Sequence, residues 1–147
     1  MITCTRGKFS LQHNQESELN FVCLAGNISS PNYPNNYPKS DDSGSENKYW
    51  QLEAEAGCRI KLTFEEFDVE DNSDCECKYD FVKIFNAYYD EKICGSFGGT
   101  FCGPDQPVTL TSDGTTMNIY FEWDHIQSKT GFMAKWESVI DTYITYK

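Results

Sequence analysis

Apolar side chains recur at every second position in five stretches of the chain, and this spacing limits the fold more than any other feature. Successive side chains of a strand point to opposite faces, so the alternation predicts strands with one buried face. β-branched and aromatic residues dominate these stretches, and no segment of a dozen residues has apolar positions at helical spacing. The positions that share a predicted face are Trp50, Leu52 and Ala54; Ile60, Leu62 and Phe64; Val82 and Ile84; Met117, Ile119 and Phe121; and Phe132, Ala134 and Trp136.

Turn-forming residues separate these predicted strands at intervals of roughly ten to twenty residues. Glu55-Ala56-Gly57 is predicted to be the hairpin turn between the first two strands. Residues 28–46 are dense in Pro, Asn, Ser and Gly, which predicts a long loop. We therefore expect an all-β protein built as an antiparallel β-sandwich.

Length and charge narrow the possible partners. The 147 residues suit a single domain, and 39% of them are hydrophobic, which is enough for a core. A formal net charge of −11 disfavours nucleic acid and anionic membrane surfaces, because both are bound by positive charge. No apolar run approaches the length of a membrane-spanning helix, so membrane insertion is not expected.

The cysteines indicate an oxidising compartment. Neither zinc-site spacing nor a CxxC pair is present, so disulfides are the better interpretation and a secreted, extracellular protein is predicted. The start of the chain lacks the apolar run of a secretion signal, which implies that a signal has been removed. An odd number of cysteines leaves one thiol over, and that thiol allows an oligomer through an interchain bridge. The seven are Cys4, Cys23, Cys58, Cys75, Cys77, Cys94 and Cys102.

The triplet Asn27-Ile28-Ser29 is an acceptor sequence for N-glycosylation, which agrees with passage through a secretory pathway.

Catalytic signatures are missing from the sequence. It contains no HExxH, no GxSxG, no phosphate-binding glycine loop and no dinucleotide fingerprint, so an enzyme is not expected.

The densest charge lies at residues 67–80, FDVEDNSDCECKYD, which hold six acids and one lysine. A helix-loop-helix calcium loop wants glycine at its sixth position and glutamate at its twelfth. Counted from Asp68, those positions are Ser73 and Tyr79, so that motif fails. A solvated loop, a metal site of another kind and a surface for a basic partner remain open at this point.

Six motifs follow one another along the chain: SPNYP at 30–34, YWQL at 49–52, RIKLTFEEFDVE at 59–70, CKYDFVKI at 77–84, FCG at 101–103 and FEWDHIQSKTGFMAKW at 121–136. In this order they resemble the motifs of a CUB domain, over about residues 23–138. Residues 1–22 are then expected to be an N-terminal extension, and residues 139–147 a tail or linker.

The resemblance implies an extracellular, jelly-roll-like β-sandwich that acts as an interaction module and, in many members, binds calcium at one end. The calcium-binding positions of the family fall on Glu70, Asp80 and Asp124, with Tyr33 in support. Three converging carboxylates repel one another unless a cation neutralises them, and calcium accepts six to eight oxygen ligands. The other acids of the run, Asp68, Asp71, Asp74 and Glu76, are expected to be solvated.

Further oxygen ligands are expected from the segment after Asp124. Backbone carbonyls near His125 and Ile126, the side-chain amide of Gln127 and water would complete the shell.

The resemblance also implies disulfides. Cys77 and Cys102 match the second disulfide of the family. The first would join Cys23 to a cysteine at the position of Lys48, so Cys23 must pair with Cys4 or Cys58 or stay free.

An additional pair, Cys75 with Cys94, would clamp the acidic loop beside the Cys77–Cys102 bridge. Direct pairing of Cys75 with Cys77 would close a strained ring.

Three functions are compatible with these features. The first is a secreted, calcium-dependent interaction module whose acidic loops accept a lysine or arginine of an extracellular protein ligand. The second is a non-catalytic accessory domain of a secreted protease. The third is a stand-alone, spermadhesin-like domain that binds carbohydrate.

Overall fold

A computed structural model of the chain describes residues 2–3, 7–11, 15–19, 22–40, 44–70, 76–88, 99–104, 106–107 and 109–141. The regular structure in these residues is β-strand without α-helix, so no helix there could cross a membrane, and the all-β prediction is confirmed. The strands are β1 (Ile2–Thr3), β2 (Gly7–Leu11), β3 (Gln15–Leu19), β4 (Val22–Cys23), β5 (Ala25–Ser29), β6 (Ser45–Glu53), β7 (Cys58–Asp68), β8 (Phe81–Phe85), β9 (Ala87–Tyr88), β10 (Thr100–Phe101), β11 (Leu110–Ser112), β12 (Thr116–Asp124) and β13 (Gly131–Ile140).

Two antiparallel sheets form the body of the protein. One contains four of the described strands in the order β10-β8-β12-β6, and the other contains five in the order β5-β13-β7-β11-β9. Every second side chain of β12 is buried, because the residues at those positions are Met117, Ile119, Phe121 and Trp123. The sheets pack through such apolar faces, and the predicted β-sandwich is confirmed.

Phe132 lies at the centre of the core and contacts both sheets. Its ring centroid is 5.4 Å from that of Phe121 and 5.6 Å from that of Trp50, which both belong to the four-stranded sheet. On its own sheet it meets Phe64 at 5.8 Å, edge to face. These arrangements are the ones that aromatic quadrupoles favour, so they add to the stability from burial alone.

The turn at Glu55-Ala56-Gly57 is present, but it does not close a hairpin. The Cys58 amide donates to the Glu55 carbonyl at 2.9 Å, and Gly57 has a φ of 91°, which suits glycine. However, β6 pairs with β12 and β7 pairs with β13 and β11, so the turn carries the chain from one sheet to the other. The hairpin prediction was wrong because a tight turn looks the same in sequence whether its strands pair or diverge.

The N-terminal residues include paired strands. β2 and β3 form an antiparallel hairpin, and β1 pairs with β4. At the other end, β13 continues to Ile140, and Asp141 forms an ion pair with Arg59 at 2.9 Å. The domain boundaries given above remain predictions.

Candidate functional site

Three strand ends bring three acidic residues together at one end of the sandwich. Glu70 lies just beyond β7, Asp80 immediately precedes β8, and Asp124 is the last residue of β12. One carboxylate oxygen of each lies within 4.8 Å of the others. Because β7 belongs to one sheet and β8 and β12 to the other, the cluster joins the two layers.

The position of Glu70 follows from the backbone beside it. Val69 and Gly103 exchange hydrogen bonds of 3.0 and 2.8 Å, which hold the residues after β7 against the segment after β10. Gly103 has a φ of 88°, a conformation that glycine adopts without strain. A disulfide between Cys77 and the adjacent Cys102 ties this segment to the chain just before Asp80. Glu70 and Asp80 are thus fixed to the same short stretch of backbone.

Tyr37 is the aromatic residue that supports the acids. Its side chain is 1% exposed, and its hydroxyl donates to Asp80 Oδ2 at 2.5 Å while accepting a hydrogen bond from the Glu70 amide at 3.3 Å. The long loop between β5 and β6 carries it inward, because the Tyr37 amide donates to the Lys129 carbonyl at 3.0 Å.

The prediction that Tyr33 supports the acids is therefore wrong, because Tyr37 makes these contacts. The carboxylate of Glu66, which accepts a hydrogen bond from Tyr33, raises the pKa of that phenol, so Tyr33 belongs to the outer surface beside β7. Tyr37-Pro38 repeats Tyr33-Pro34 four residues later in NYPNNYP, and the sequence alone offers two equivalent candidates. Burial separates them, since only the second is in the interior.

Asp124 is held by the turn that follows it. Its Oδ1 accepts a hydrogen bond from the Ile126 amide at 3.0 Å, and its own amide donates to Asp80 Oδ1 at 2.8 Å. Ile126 is 56% exposed and Gln127 is also exposed. Their role as ligands stays a prediction.

Burial, with a smaller contribution from neighbouring charges, raises the pKa values of two acids in the cluster. Burial, followed by the negative charges of Asp80 and Asp124, raises the pKa of Glu70 to about 7. Burial raises the pKa of Asp80 to about 6, although hydrogen bonds from Tyr37 and the Asp124 amide favour its ionised form. Both shifts have the direction expected of carboxylates held together away from water.

The donor set fits a hard divalent cation. Glu70 Oε2 is buried and has no hydrogen-bond partner among the described residues, which leaves a polar oxygen without compensation there. Three carboxylates supply oxygen ligands only, and oxygen is what calcium and magnesium prefer. Ligands at three separate strand ends can adapt to the loose geometry of calcium more readily than to the strict octahedron of magnesium.

The remaining acids of the 67–80 run do not join the cluster where the structure describes them. Asp68 is half-buried at the end of β7, and Glu76 is exposed and paired with Lys78 at 2.7 Å. Asp71 and Asp74 lie outside the described residues.

The other cysteine predictions have different outcomes. Cys4, Cys75 and Cys94 lie outside the described residues, and for Cys23 the backbone alone is described. Cys58 is a free thiol and is 2% exposed, so it is not the partner of Cys23. Its burial also leaves this thiol inaccessible for an interchain bridge in the folded state.

Comparison with known proteins agrees with the fold. The CUB domain family model matches residues 16–136. The chain is 37% identical to bone morphogenetic protein 1 of Xenopus laevis over 115 residues, which are 78% of this chain and 15% of that protein. It is 35% identical to the zinc metalloproteinase nas-39 of Caenorhabditis elegans over 121 residues, or 82% of this chain and 12% of that protein.

A solved structure shows the same similarity. The MASP-1 CUB2 domain, crystallised with Ca2+ bound, superimposes with a TM-score of 0.61 at 28% identity, over 76% of this chain and 90% of that domain. The chain belongs to the CUB domain family. CUB domains are non-catalytic modules that mediate protein interactions in extracellular proteins, and relatives of this chain include extracellular and membrane-associated proteins.

Proposed function

We propose that this CUB domain is a calcium-dependent, secreted interaction module that binds a basic side chain of an extracellular protein ligand. The observation that carries the proposal is the convergence of Glu70, Asp80 and Asp124 within 4.8 Å, with Glu70 Oε2 buried and without a hydrogen-bond partner in the part of the chain that the structure describes. Such a cluster is unfavourable by itself, so a cation that binds there should stabilise the folded protein.

The proposed ligands are the carboxylates of Glu70, Asp80 and Asp124, with the Ile126 carbonyl and the Gln127 amide oxygen completing the set. A bound calcium ion supplies the positive charge that offsets the repulsion among these acids. Tyr37 orients Asp80, and the Ile126 amide orients Asp124, so protein hydrogen bonds direct two of the three carboxylates. The similarity to the Ca2+-bound MASP-1 domain supports this assignment.

The partner mode follows from the exposed side of the cluster. Asp124 is only half-buried, so one of its oxygens can accept a charge-assisted hydrogen bond from a lysine or arginine of another protein. The formal net charge of −11 would speed the approach of a basic partner by electrostatic steering.

Calorimetric titration of metal-free protein with calcium tests the metal site. We expect one binding event for the wild type and its loss in Asp124→Asn. Asp113→Asn is the matched control, because Asp113 is exposed and precedes β12, whose nine residues place it roughly 30 Å from Asp124. Absence of heat from the wild type, or equal loss in both variants, would contradict the proposal.

A small probe tests the partner mode separately. Nα-acetyl-lysine methylamide, titrated into 15N-labelled protein in calcium, should shift the amide signals of residues 124–127. The norleucine analogue lacks the ammonium group and is the control. Equal shifts with both probes, or shifts that persist unchanged in chelator, would reject a calcium-dependent site for basic side chains.

A second candidate is that the domain is an accessory module of a longer secreted protease. The chain spans 15% and 12% of the two relatives described above, one of which is a metalloproteinase. Sequencing the full transcript tests this possibility. A protease domain in the same reading frame would support it. A stop codon directly after Lys147, together with the absence of a protease domain upstream, would reject it. The carbohydrate-binding alternative remains a prediction without a specific observation in its favour.

A further inference from the structure

The sequon is placed where an attached sugar can be accommodated. Asn27-Ile28-Ser29 is the only N-x-S/T triplet in the chain, and it lies on β5. Ile28 is 6% exposed and packs in the core, whereas Asn27 is exposed. The alternation of the strand therefore directs the Asn27 amide outward.

A groove with a volume of about 460 Å³ begins at Asn27. Asn27 is opposite Lys135 on β13, and Lys135 is opposite Thr63 on β7, so these residues form one row across the sheet. Glu65 also lines the groove, and its carboxylate is 3.8 Å from the Lys135 ammonium. Hydroxyl, ammonium and carboxylate groups are hydrogen-bonding partners for the hydroxyls and acetamido group of a sugar.

We propose that Asn27 carries an N-linked oligosaccharide whose first N-acetylglucosamine lies in this groove, against Thr63, Glu65 and Lys135. In the covalent step, Asn27 Nδ2 attacks the anomeric carbon of an oligosaccharide bound to a lipid diphosphate. A C–N bond forms, the bond from that carbon to the diphosphate oxygen breaks, and Nδ2 loses one proton while the lipid diphosphate leaves. The co-reactant and its transferase are those of the secretory pathway.

The sugar would lie away from the acidic cluster. The row at Thr63 is seven positions before Glu70, roughly 20 Å along β7, so the acidic cluster stays accessible.

Mass spectrometry of protein secreted from animal cells tests the modification. Treatment with peptide N-glycosidase in 18O-labelled water should convert Asn27 to labelled aspartate in the wild type. Ser29→Ala should abolish the glycoform, and Ser29→Thr, which keeps the acceptor triplet, should retain it. A wild-type mass equal to that of the unmodified polypeptide would overturn the proposal. Calcium calorimetry on the glycosylated and the deglycosylated protein tests the metal site separately. Calcium binding should be the same in both.

The position of the first sugar in the groove is tested by nuclear Overhauser contacts. We expect cross-peaks between the acetamido methyl group of the first sugar and the Thr63 methyl group in the glycosylated protein, and weaker ones in Lys135→Ala. A sugar without contacts to Thr63 or Lys135 would overturn the groove assignment while leaving the modification in place.

Discussion

The hydroxyl of Tyr37 donates a hydrogen bond to Asp80 Oδ2 at 2.5 Å, across 43 positions of sequence. The Tyr37 hydroxyl oxygen also accepts a hydrogen bond from the Glu70 amide. One phenol therefore connects the loop between β5 and β6 to two of the three clustered acids. Burial and the Asp80 carboxylate raise the pKa of Tyr37 above its ordinary value, which keeps the phenol protonated and donating. Tyr37 therefore links two acids of the cluster through one hydroxyl group.

Replacing Tyr37 with phenylalanine should weaken both the fold and calcium binding. The substitution removes a buried hydrogen bond to a charged group, which costs about 1.5–3 kcal/mol of the free energy of unfolding. It also releases Asp80, and the loss of an outer-shell partner typically lowers metal affinity by about 10-fold or more. Urea denaturation in chelator measures the first effect and calorimetry with calcium measures the second.

Tyr33→Phe is the matched control for this experiment. Its phenol interacts with Glu66 on the outer surface, so we expect a change within about 0.5 kcal/mol and no change in calcium affinity. If Tyr33→Phe lowered calcium affinity and Tyr37→Phe did not, the assignment of the supporting tyrosine would have to be reversed.

Much of the fold was accessible from periodicity, because burial of one strand face leaves a pattern of period two. Ile60, Leu62 and Phe64 are each at most 1% exposed, as their alternation predicted. Pairing partners were not accessible in the same way. Nothing local in Glu55-Ala56-Gly57 records that β6 pairs with β12, whose sequence comes more than 60 positions later.

The acidic cluster was predictable through resemblance, whereas its support was not. Glu70, Asp80 and Asp124 were named from family motifs, and the structure brings them together. The choice between Tyr33 and Tyr37 depends on which one the loop turns inward. That depends on contacts with a distant segment, such as the hydrogen bond from Asn36 Nδ2 to the Ser128 carbonyl at 3.3 Å.

The metal-free protein should lose stability as the pH rises through the titration of the cluster. The folded-state pKa values of Asp80 and Glu70 are raised to about 6 and about 7, so the folded protein holds protons that the unfolded chain releases. Their contribution is fully present below about pH 4 and is lost as the pH passes through 6 and 7. Thermal melts in chelator between pH 5 and pH 8 should show Glu70→Gln becoming progressively more stable than the wild type.

In calcium at pH 8 the wild type should be more stable than Glu70→Gln, because the glutamine variant lacks one of the proposed charged ligands. Glu137→Gln is the control, since Glu137 is exposed on β13. A difference in melting temperature between Glu70→Gln and the wild type that stays constant across this pH range would show that Glu70 does not carry the effect.

Gly131→Ala should disrupt the site through Tyr37. Gly131 has a φ of 80°, and an added Cβ would overlap Ser30 Oγ and lie 3.2 Å from Tyr37 Cδ1. We expect a loss of at least about 2 kcal/mol in the free energy of unfolding, from backbone strain and displaced contacts. Calcium affinity should fall with it, measured by calorimetry at a temperature where the variant is folded.

Gly114→Ala is the matched glycine control, because a Cβ there would meet no atom of the described residues within 4 Å. It should change the free energy of unfolding by less than about 1 kcal/mol and leave calcium binding unaltered. A Gly131→Ala protein of reduced stability but unchanged calcium affinity would argue that the acids do not depend on the position of Tyr37.

The disulfide Cys77–Cys102 should contribute to both stability and calcium affinity. It closes a loop of 25 residues, for which chain entropy predicts a stabilisation of about 3.5 kcal/mol. Cys102 adjoins Gly103, which pairs with Val69 beside Glu70, and Cys77 lies three positions before Asp80. The double variant Cys77→Ala/Cys102→Ala should therefore loosen the two acids relative to each other and lower calcium affinity by about 10-fold.

Cys58→Ala separates this effect from the general loss of a buried sulfur atom. Cys58 is a free buried thiol at the start of β7, ten positions before the end of the strand that leads to Glu70. Its truncation should cost about 1 kcal/mol and leave calcium affinity unchanged, because no bond between the acidic segments is removed. The double variant loses the disulfide, whereas Cys58→Ala keeps it. If the wild type and both variants had equal calcium affinity, β7 and β8 would hold Glu70 and Asp80 in place without the disulfide.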